Sequence, residues 1–229
     1  MRTPKKVALI QSNYVPWVGY FAIMAEVDLF VVYECVQYTK NDWRNRNQIQ
    51  STDGCLKWLT IPVRQYSSTQ PFMETRVSSS DWPLSHLKTL NHYYAHTKGW
   101  MKWRNELELL YKTAQKMTHL FEINRLFLDW VVNKLHLTTQ VVYLDSYPEF
   151  SNRNERLISI LHHFDATHYL SGPSAKDYID VEKFEIAKIN LEFVDYDQII
   201  MDRLIGPKPI KTTSILQLIL EDHHEFKGH

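Results

Sequence analysis

Cysteine, glycine and long apolar runs are scarce in this chain of 229 residues, and each shortage excludes something. The two cysteines, Cys35 and Cys55, form no CxxC pair and no disulfide framework, which fits a reducing, cytoplasmic setting. Six glycines hide no dinucleotide-binding GxGxxG, and the sequence holds neither a P-loop nor a GxSxG nucleophile elbow. No stretch approaches the roughly 18 uninterrupted apolar residues of a spanning helix. The basic start, Met1 to Lys6, is followed by an apolar run that stops at Ile10, too short for a signal peptide. With 26 basic and 26 acidic side chains, the chain also lacks the basic surplus of a nucleic-acid-coating protein.

Aromatic side chains are plentiful: 7 Trp, 13 Tyr and 10 Phe. The neutral charge total divides unevenly. Residues 1–140 carry 17 Lys and Arg against 11 Asp and Glu, and they hold every tryptophan; residues 141–229 carry 9 against 15. The ligand-facing half is therefore expected to be the basic, aromatic first block.

Periodicity gives the organisation. Val7 to Ile10 reads as a buried strand, Trp17, Tyr20, Phe21 and Met24 as a helix with Pro16 at its start, and Leu29 to Tyr33 as a second strand. Residues 35–49 turn polar but keep an extended pattern, and 58–63 is a further strand candidate. Residues 82–137 have few helix breakers. Near their end, Leu120 to Leu135 is apolar almost all round, which predicts a buried helix crossing the middle of the fold. Strands at 141–144, 168–170 and 191–194 alternate with helices, one of them opened by Asn152 with Glu155 as cap and partner. The expected architecture is one α/β domain over 1–229: a Rossmann-like, mainly parallel sheet with a helical insertion or second layer at 82–137.

Three segments carry candidate chemistry. In an extended Trp43-Arg44-Asn45-Arg46-Asn47, both arginines share one face and both asparagines the other. Paired guanidinium forks suit a phosphate, diphosphate or carboxylate, and Lys40 adds charge; the alternative is a solvated edge strand. Gln11-Ser12-Asn13-Tyr14 follows the first strand, and Gly19 lies one turn into the helix behind it. That is a ligand-binding position in α/β sheets, or simply a helix packed through Trp17 and Tyr20. His168 to Tyr178 repeats the strand–turn–helix plan, where Ser171, Ser174 and Lys176 could hold a phosphate or a hydroxyl-bearing ligand, or only make a capped turn. Metal binding is not expected: His92 and His96 are spaced i, i+4 without a third ligand, and the tail with His223, His224 and His229 reads as a polar terminus.

Taken together, the segments at 11–21 (QSNYVPWVGYF), 27–34 (VDLFVVYE), 36–47 (VQYTKNDWRNRN), 58–63 (WLTIPV), 169–178 (YLSGPSAKDY) and 210–220 (IKTTSILQLIL) resemble the WbqC-like family of bacterial proteins. The resemblance implies a place in gene clusters for O-antigen and other surface polysaccharides, and work on nucleotide-linked amino sugars that receive an acyl or aminoacyl group. On that reading Arg44 and Arg46 hold the diphosphate or a donor carboxylate, helped by Lys40, Asn45 and Asn47. Trp17, Tyr14 or Trp43 stack on a base or sugar face, with Tyr20, Ser171, Gly172, Lys176 and Tyr178 as further substrate contacts. Gln11 and Asn13 orient the amine or carbonyl, while His168 and Asp28 are candidate bases by location. The co-substrate is ATP or an acyl or aminoacyl donor. Around 196–205 the family pattern is lost, because Met201-Asp202-Arg203-Leu204 replaces a phenylalanine-containing segment. The segment 16–20 also resembles a degraded HxGH signature of nucleotidyl-transferring enzymes, with Lys211 to Ser214 as its phosphate-binding counterpart. Trp17 and Tyr20 occupy both histidine positions and cannot become cationic against a triphosphate. The alternative to an enzyme is a protein that only binds a sugar nucleotide or a pathway partner.

Overall fold

The computed structural model describes residues 4–51, 53–150, 152–206, 213–222 and 225–228. Lys211, Thr212, His223, His224 and His229, singled out above, lie outside them. The chain opens on β1 (Lys6–Gln11), α1 (Val18–Ala25) and β2 (Leu29–Tyr33), the strand–helix–strand unit predicted from the apolar runs. A hairpin of β3 (Arg46–Gln50) and β4 (Leu56–Thr60) follows, then the short pair β5 (Val63–Arg64) and β6 (Arg76–Val77). Pro62, which has no N–H to donate, separates β4 from β5. Helices α2 (Trp82–Tyr94), α3 (Lys98–Ala114) and α4 (Leu120–Lys134) occupy the expected helical section. The remainder is β7 (Gln140–Leu144), α5 (Arg153–His163), β8 (His168–Ser171), α6 (Val181–Ile186), β9 (Asn190–Phe193), α7 (Tyr196–Arg203), β10 (Leu204–Ile205), α8 (Ile215–Glu221) and β11 (Glu225–Phe226).

Five parallel strands form the central sheet in the order β7-β2-β1-β8-β9, so the expected α/β, Rossmann-like sheet is what forms. Val7 to Gln11 pair with Leu29 to Tyr33, and Leu29 to Tyr33 with Gln140 to Leu144. Alternate residues feed opposite cores. Ala8, Phe30 and Val32 pack with α1 and with Leu128 and Val131 of α4, while Val7, Leu29 and Val31 pack with Leu157 and Leu161 of α5 and Phe184 of α6. The helix buried on every side is α1, all eight of whose residues are inaccessible. The helix expected to cross the middle, α4, instead divides its apolar surface. Leu128 and Val131 face the sheet, and Leu120, Ile123 and Phe127 join a third core with Tyr94, Trp100 and Tyr111. At α5 the Asn152 side chain accepts from the amides of Asn154 and Glu155, a cap worth about 1 kcal/mol. The Glu155 carboxylate does not complete the box; it lies 3.8 Å from Lys183.

Segment 41–47 departs from expectation. It is a turn until Arg46 starts β3, so Arg44 and Arg46 do not share a strand face. The turn is held by side chains reaching backbone: Asn45 Nδ2 donates to Ile61 O at 2.9 Å and Arg46 Nη2 to Asn41 O at 2.7 Å. Asn47 Nδ2 donates to Tyr14 O (3.2 Å) and Val15 O (2.9 Å), and Ser214 Oγ donates to Val15 O at 2.7 Å. Val15 needs that support, since its φ of 38° is strained for a β-branched residue.

Gly19 is explained by its neighbour two residues back. A Cβ built there would clash with the Trp17 indole, because that ring folds over the first turn of α1 and packs on Tyr196, centroids 4.9 Å apart. Gly19→Ala is expected to cost about 1–3 kcal/mol as an overpacking substitution, measured by urea denaturation. In a Trp17→Ala background the cost should largely vanish. An equal cost in both backgrounds would show that the indole is not the reason for the glycine.

Candidate ligand-binding site

The chain leaves β1 toward β2 and β7 on one side and returns to β8 and β9 on the other. Ligands of open α/β sheets sit in the crevice at such a reversal, beyond the carboxyl ends of the strands. A cleft of about 890 Å³ opens there, within the size range of small-molecule sites. Its floor is Ile10 and Gln11 at the end of β1 with Asn13 just after it, Tyr33 at the end of β2, and Tyr169 and Ser171 of β8 with Gly172 just after it. One wall is the turn Asp42-Trp43-Arg44, and the other is Arg153 and Arg156 of α5 with Ser174 and Tyr178.

Among the described residues, three arginines and one carboxylate line this space. Arg44 is only 5% exposed; its Nη1 pairs with Asp42 and its Nη2 donates to Gln11 Oε1. Burial pulls the Arg44 guanidinium below its ordinary pKa, partly offset by Tyr38, yet a guanidinium stays charged near neutral pH. Arg156 Nη2 donates to Cys35 O at 2.8 Å, with its guanidinium 5.3 Å from the Tyr33 ring centre. Arg153 lies 3.9 Å over the Tyr178 ring. The buried Nε–H groups of Arg44 and Arg156 have no partner among the described residues, so donor capacity is spare on both sides of the cleft.

Phenols complete the lining. Burial pushes Tyr33, Tyr169 and Tyr196 each up to about 12; Arg156 opposes this at Tyr33, as does the Ser171 hydroxyl at Tyr169. All three therefore stay neutral at physiological pH and can donate to an anion. Tyr196 closes over Gly172, where an added Cβ would lie 3.2 Å from its hydroxyl. Among the described residues no His, Cys, Lys or Glu lines the cleft, and its aspartate is ion-paired.

Of the residues singled out from the sequence, Gln11, Asn13, Trp43, Arg44, Ser171, Gly172, Ser174 and Tyr178 meet in this cleft. Others are placed elsewhere, for identifiable reasons. Tyr14 is fully buried, where its hydroxyl meets His86 and Tyr111. Trp17 packs on Tyr196, and Tyr20 is buried with its hydroxyl donating to Gln11 O at 3.3 Å. Asn45 and Asn47 serve the backbone as described, Lys40 is exposed outside the lining, and Lys176 lies against the Phe193 ring. His168 begins β8, about 10 Å along the strand from Ser171 at its far end. Asp28 also sits at the amino edge, accepting from Lys6 N at 2.7 Å. Neither candidate base reaches the cleft. Thr213 and Ser214 are buried, and Ser214 caps α8.

Sequence reasoning missed Arg153 and Arg156. Their i, i+3 spacing in the first turn of a capped helix was the available signal. Both belong to the acidic second block, so two of the cleft's three arginines come from the half not expected to meet the ligand. Asn124 was missed too. Nearly inaccessible on α4, it donates to Arg44 O at 2.9 Å and Ser12 Oγ at 3.2 Å, tying the arginine turn to the β1 loop. Glu34, fully buried behind β2, receives Arg125, and burial raises its carboxyl pKa against that pairing.

Among the described residues, no cluster of three or more His, Cys, Asp or Glu could hold a metal, and no helix is long and apolar enough to cross a membrane. A family model described as the WbqC-like protein family matches residues 11–221, which include every part of the cleft lining from Gln11 to Tyr196. The uncharacterized protein Rv1507c of Mycobacterium tuberculosis is 37% identical over 194 residues, spanning 84% of this chain and 83% of that protein. No solved structure matches significantly. The chain belongs to the WbqC-like protein family.

Proposed function

We propose that the protein is a cytoplasmic enzyme of surface-polysaccharide (O-antigen) biosynthesis, transferring an acyl or aminoacyl group to the amine of a nucleotide-linked amino sugar. The observation that carries this reading is the cleft at the strand reversal: three arginines against one aspartate, walled by aromatic rings. Such a lining suits a small, phosphorylated, ring-bearing ligand. The resemblance to WbqC-like proteins of polysaccharide gene clusters supports an amino-sugar acceptor. In the transfer, the amine nitrogen bonds to the donor carbonyl carbon. The donor's C–S or C–O bond breaks, and the amine proton leaves with the departing thiol or hydroxyl. Gln11 and Asn13 would orient the amine and the carbonyl, so that catalysis rests on positioning and on hydrogen bonding to the developing oxyanion.

A second reading is favoured by one observation, the lack of an unpaired acid–base group in the lining among the described residues. On it, the protein binds the sugar nucleotide without turning it over. Calorimetry with a panel of nucleotide-linked amino sugars is expected to find a single-site ligand. Mass spectrometry should then find its amide after incubation with an acyl-thioester, an aminoacyl ester, or an acid plus ATP. If no member of the panel binds, both readings fall. If one binds and no donor gives product, the transferase reading falls and the binding protein stands. Pyrophosphate release would identify acid activation by ATP.

A further inference from the structure

Two of the seven tryptophans are exposed, and they lie together at the mouth of the cleft. Trp43 and Trp58 are 41% and 39% accessible, with ring centroids 5.6 Å apart and planes inclined by 36°. Trp43 lines the cleft directly beside Arg44, and its carbonyl accepts from Tyr14 N at 3.0 Å, which fixes the turn that carries it. Trp58 stands on β4 opposite Gln48, so Arg46, opposite Thr60, is its diagonal neighbour across the hairpin. The Arg46 guanidinium lies 4.3 Å from the Trp58 ring centre, and its Nη2 is held by Asn41 O at 2.7 Å. A single exposed tryptophan needs no explanation. A paired, buttressed set continuous with a basic cleft makes a ledge for a flat ring.

We infer that the Trp43–Trp58 ledge, backed by Arg46, is the nucleobase subsite of the cleft, taking the base of a nucleoside diphosphate whose phosphates reach Arg44. The inference rests on the sugar-nucleotide reading and adds an orientation to it. A sugar nucleotide is linear, with base, diphosphate and sugar in that order. Inward from Arg44 the floor offers Gln11, Asn13, Ser171 and the Tyr196 hydroxyl, which match sugar hydroxyls and an amine. Outward from Arg44 the flat surface is that of the two indoles and a guanidinium already engaged with one of them, and the carboxylate beside them, Asp42, is paired with Arg44. The polar sugar therefore goes in and the base stays out.

The test compares ligands that differ by the nucleoside alone. Wild type, Trp43→Ala, Trp58→Ala and Trp43→Phe are titrated by calorimetry with inorganic pyrophosphate, with uridine, guanosine and adenosine diphosphates, and with a sugar 1-phosphate as control. Wild type should bind at least one nucleoside diphosphate about ten-fold or more tighter than pyrophosphate, the increment expected of base stacking. Each alanine variant should lose that advantage while its pyrophosphate affinity holds, and Trp43→Phe should recover most of it. Trp43 and Trp58 fluorescence should be quenched by the nucleotide and not by pyrophosphate. Equal binding of both ligands by wild type, or a preference that survives both alanine variants, overturns the ledge and leaves the cleft reading intact. A tryptophan-dependent gain seen with a sugar 1-phosphate instead assigns the ledge to the sugar and overturns the base. If no phosphate ligand binds wild type, the cleft reading itself fails.

Discussion

Arg44→Ala should weaken binding of the phosphorylated ligand by roughly 30-fold to a few thousand-fold in Kd, or about 2–5 kcal/mol. The reason lies in what the guanidinium neutralises as much as in what it contacts. Arg44 is almost wholly buried, with Asp42 on Nη1, Gln11 on Nη2 and a spare Nε–H. Removing it takes one positive charge from the cleft and leaves the Asp42 carboxylate uncompensated where the anion must sit. Two companion variants separate these effects. Asp42→Asn should bind as tightly as wild type or tighter, since it removes the repulsion and keeps the cation. Arg44→Lys should fall between, because a point charge cannot bond Asp42, Gln11 and a phosphate in one plane. Urea denaturation of each variant distinguishes lost affinity from lost fold, and Arg153→Ala, on the opposite wall, gives a cation removal without a buried partner. Wild-type affinity in a folded Arg44→Ala protein would remove Arg44 from the site.

The parts legible in the sequence are those fixed by near neighbours. Val7 to Ile10, Leu29 to Tyr33 and Val141 to Leu144 announce parallel core strands by unbroken apolar runs, and all three fall in the sheet. Asn152 announces the start of α5, and caps it. What failed depended on contacts between distant segments. Arg44 and Arg46 look like one strand face until Asn45 reaches Ile61, sixteen residues on, and holds the segment as a turn. Arg153 and Arg156 read as ordinary exposed helix arginines. They become cleft residues only because β8 returns beside β1 and brings α5 over Tyr33. Tyr14, which follows β1, looks from the sequence like a stacking surface. Its hydroxyl instead finds partners 72 and 97 residues away, and no local pattern encodes that distance. The polar residues Asn45, Asn47 and Asn124 were visible, but their task was not. Each satisfies or borrows a buried backbone carbonyl, a need that arises only once the loops meet.

Those same distant contacts predict how the fold responds to acid. Wild-type stability should fall by about 3 kcal/mol through His86 alone between pH 6.5 and 4, at about 1.4 kcal/mol per pH unit. His86 Nε2 lies 3.1 Å from Thr60 O, which can only accept, so Nε2 carries the proton and Nδ1 must accept. Tyr14 Oη, at 3.0 Å, then donates to Nδ1 and receives the Tyr111 hydroxyl at 2.9 Å. A second proton on the ring would make Nδ1 a donor, whose proton Tyr14 Oη could accept only by turning its own hydroxyl toward Tyr111, and would place a charge in a pocket closed by Trp82. Burial accordingly pushes the His86 pKa down from 6.5 to about 4, with the Thr60 carbonyl opposing only in part. The unfolded chain takes up this proton near pH 6.5 and the folded chain only near 4, so in that window the unfolded state binds more protons. The contribution is fully present above 6.5 and is lost as pH falls toward 4. Urea denaturation at half-unit steps measures the slope, and the comparison is His86→Phe, which keeps the ring and removes the titration. Carboxylates that titrate in the same range cancel in the difference between the two proteins. That difference should grow by one proton's worth per pH unit below 6.5, in the sense that the variant loses less stability than wild type. Parallel pH profiles for the two proteins would show that His86 protonates as easily folded as unfolded, and burial would then not be what keeps its imidazole neutral.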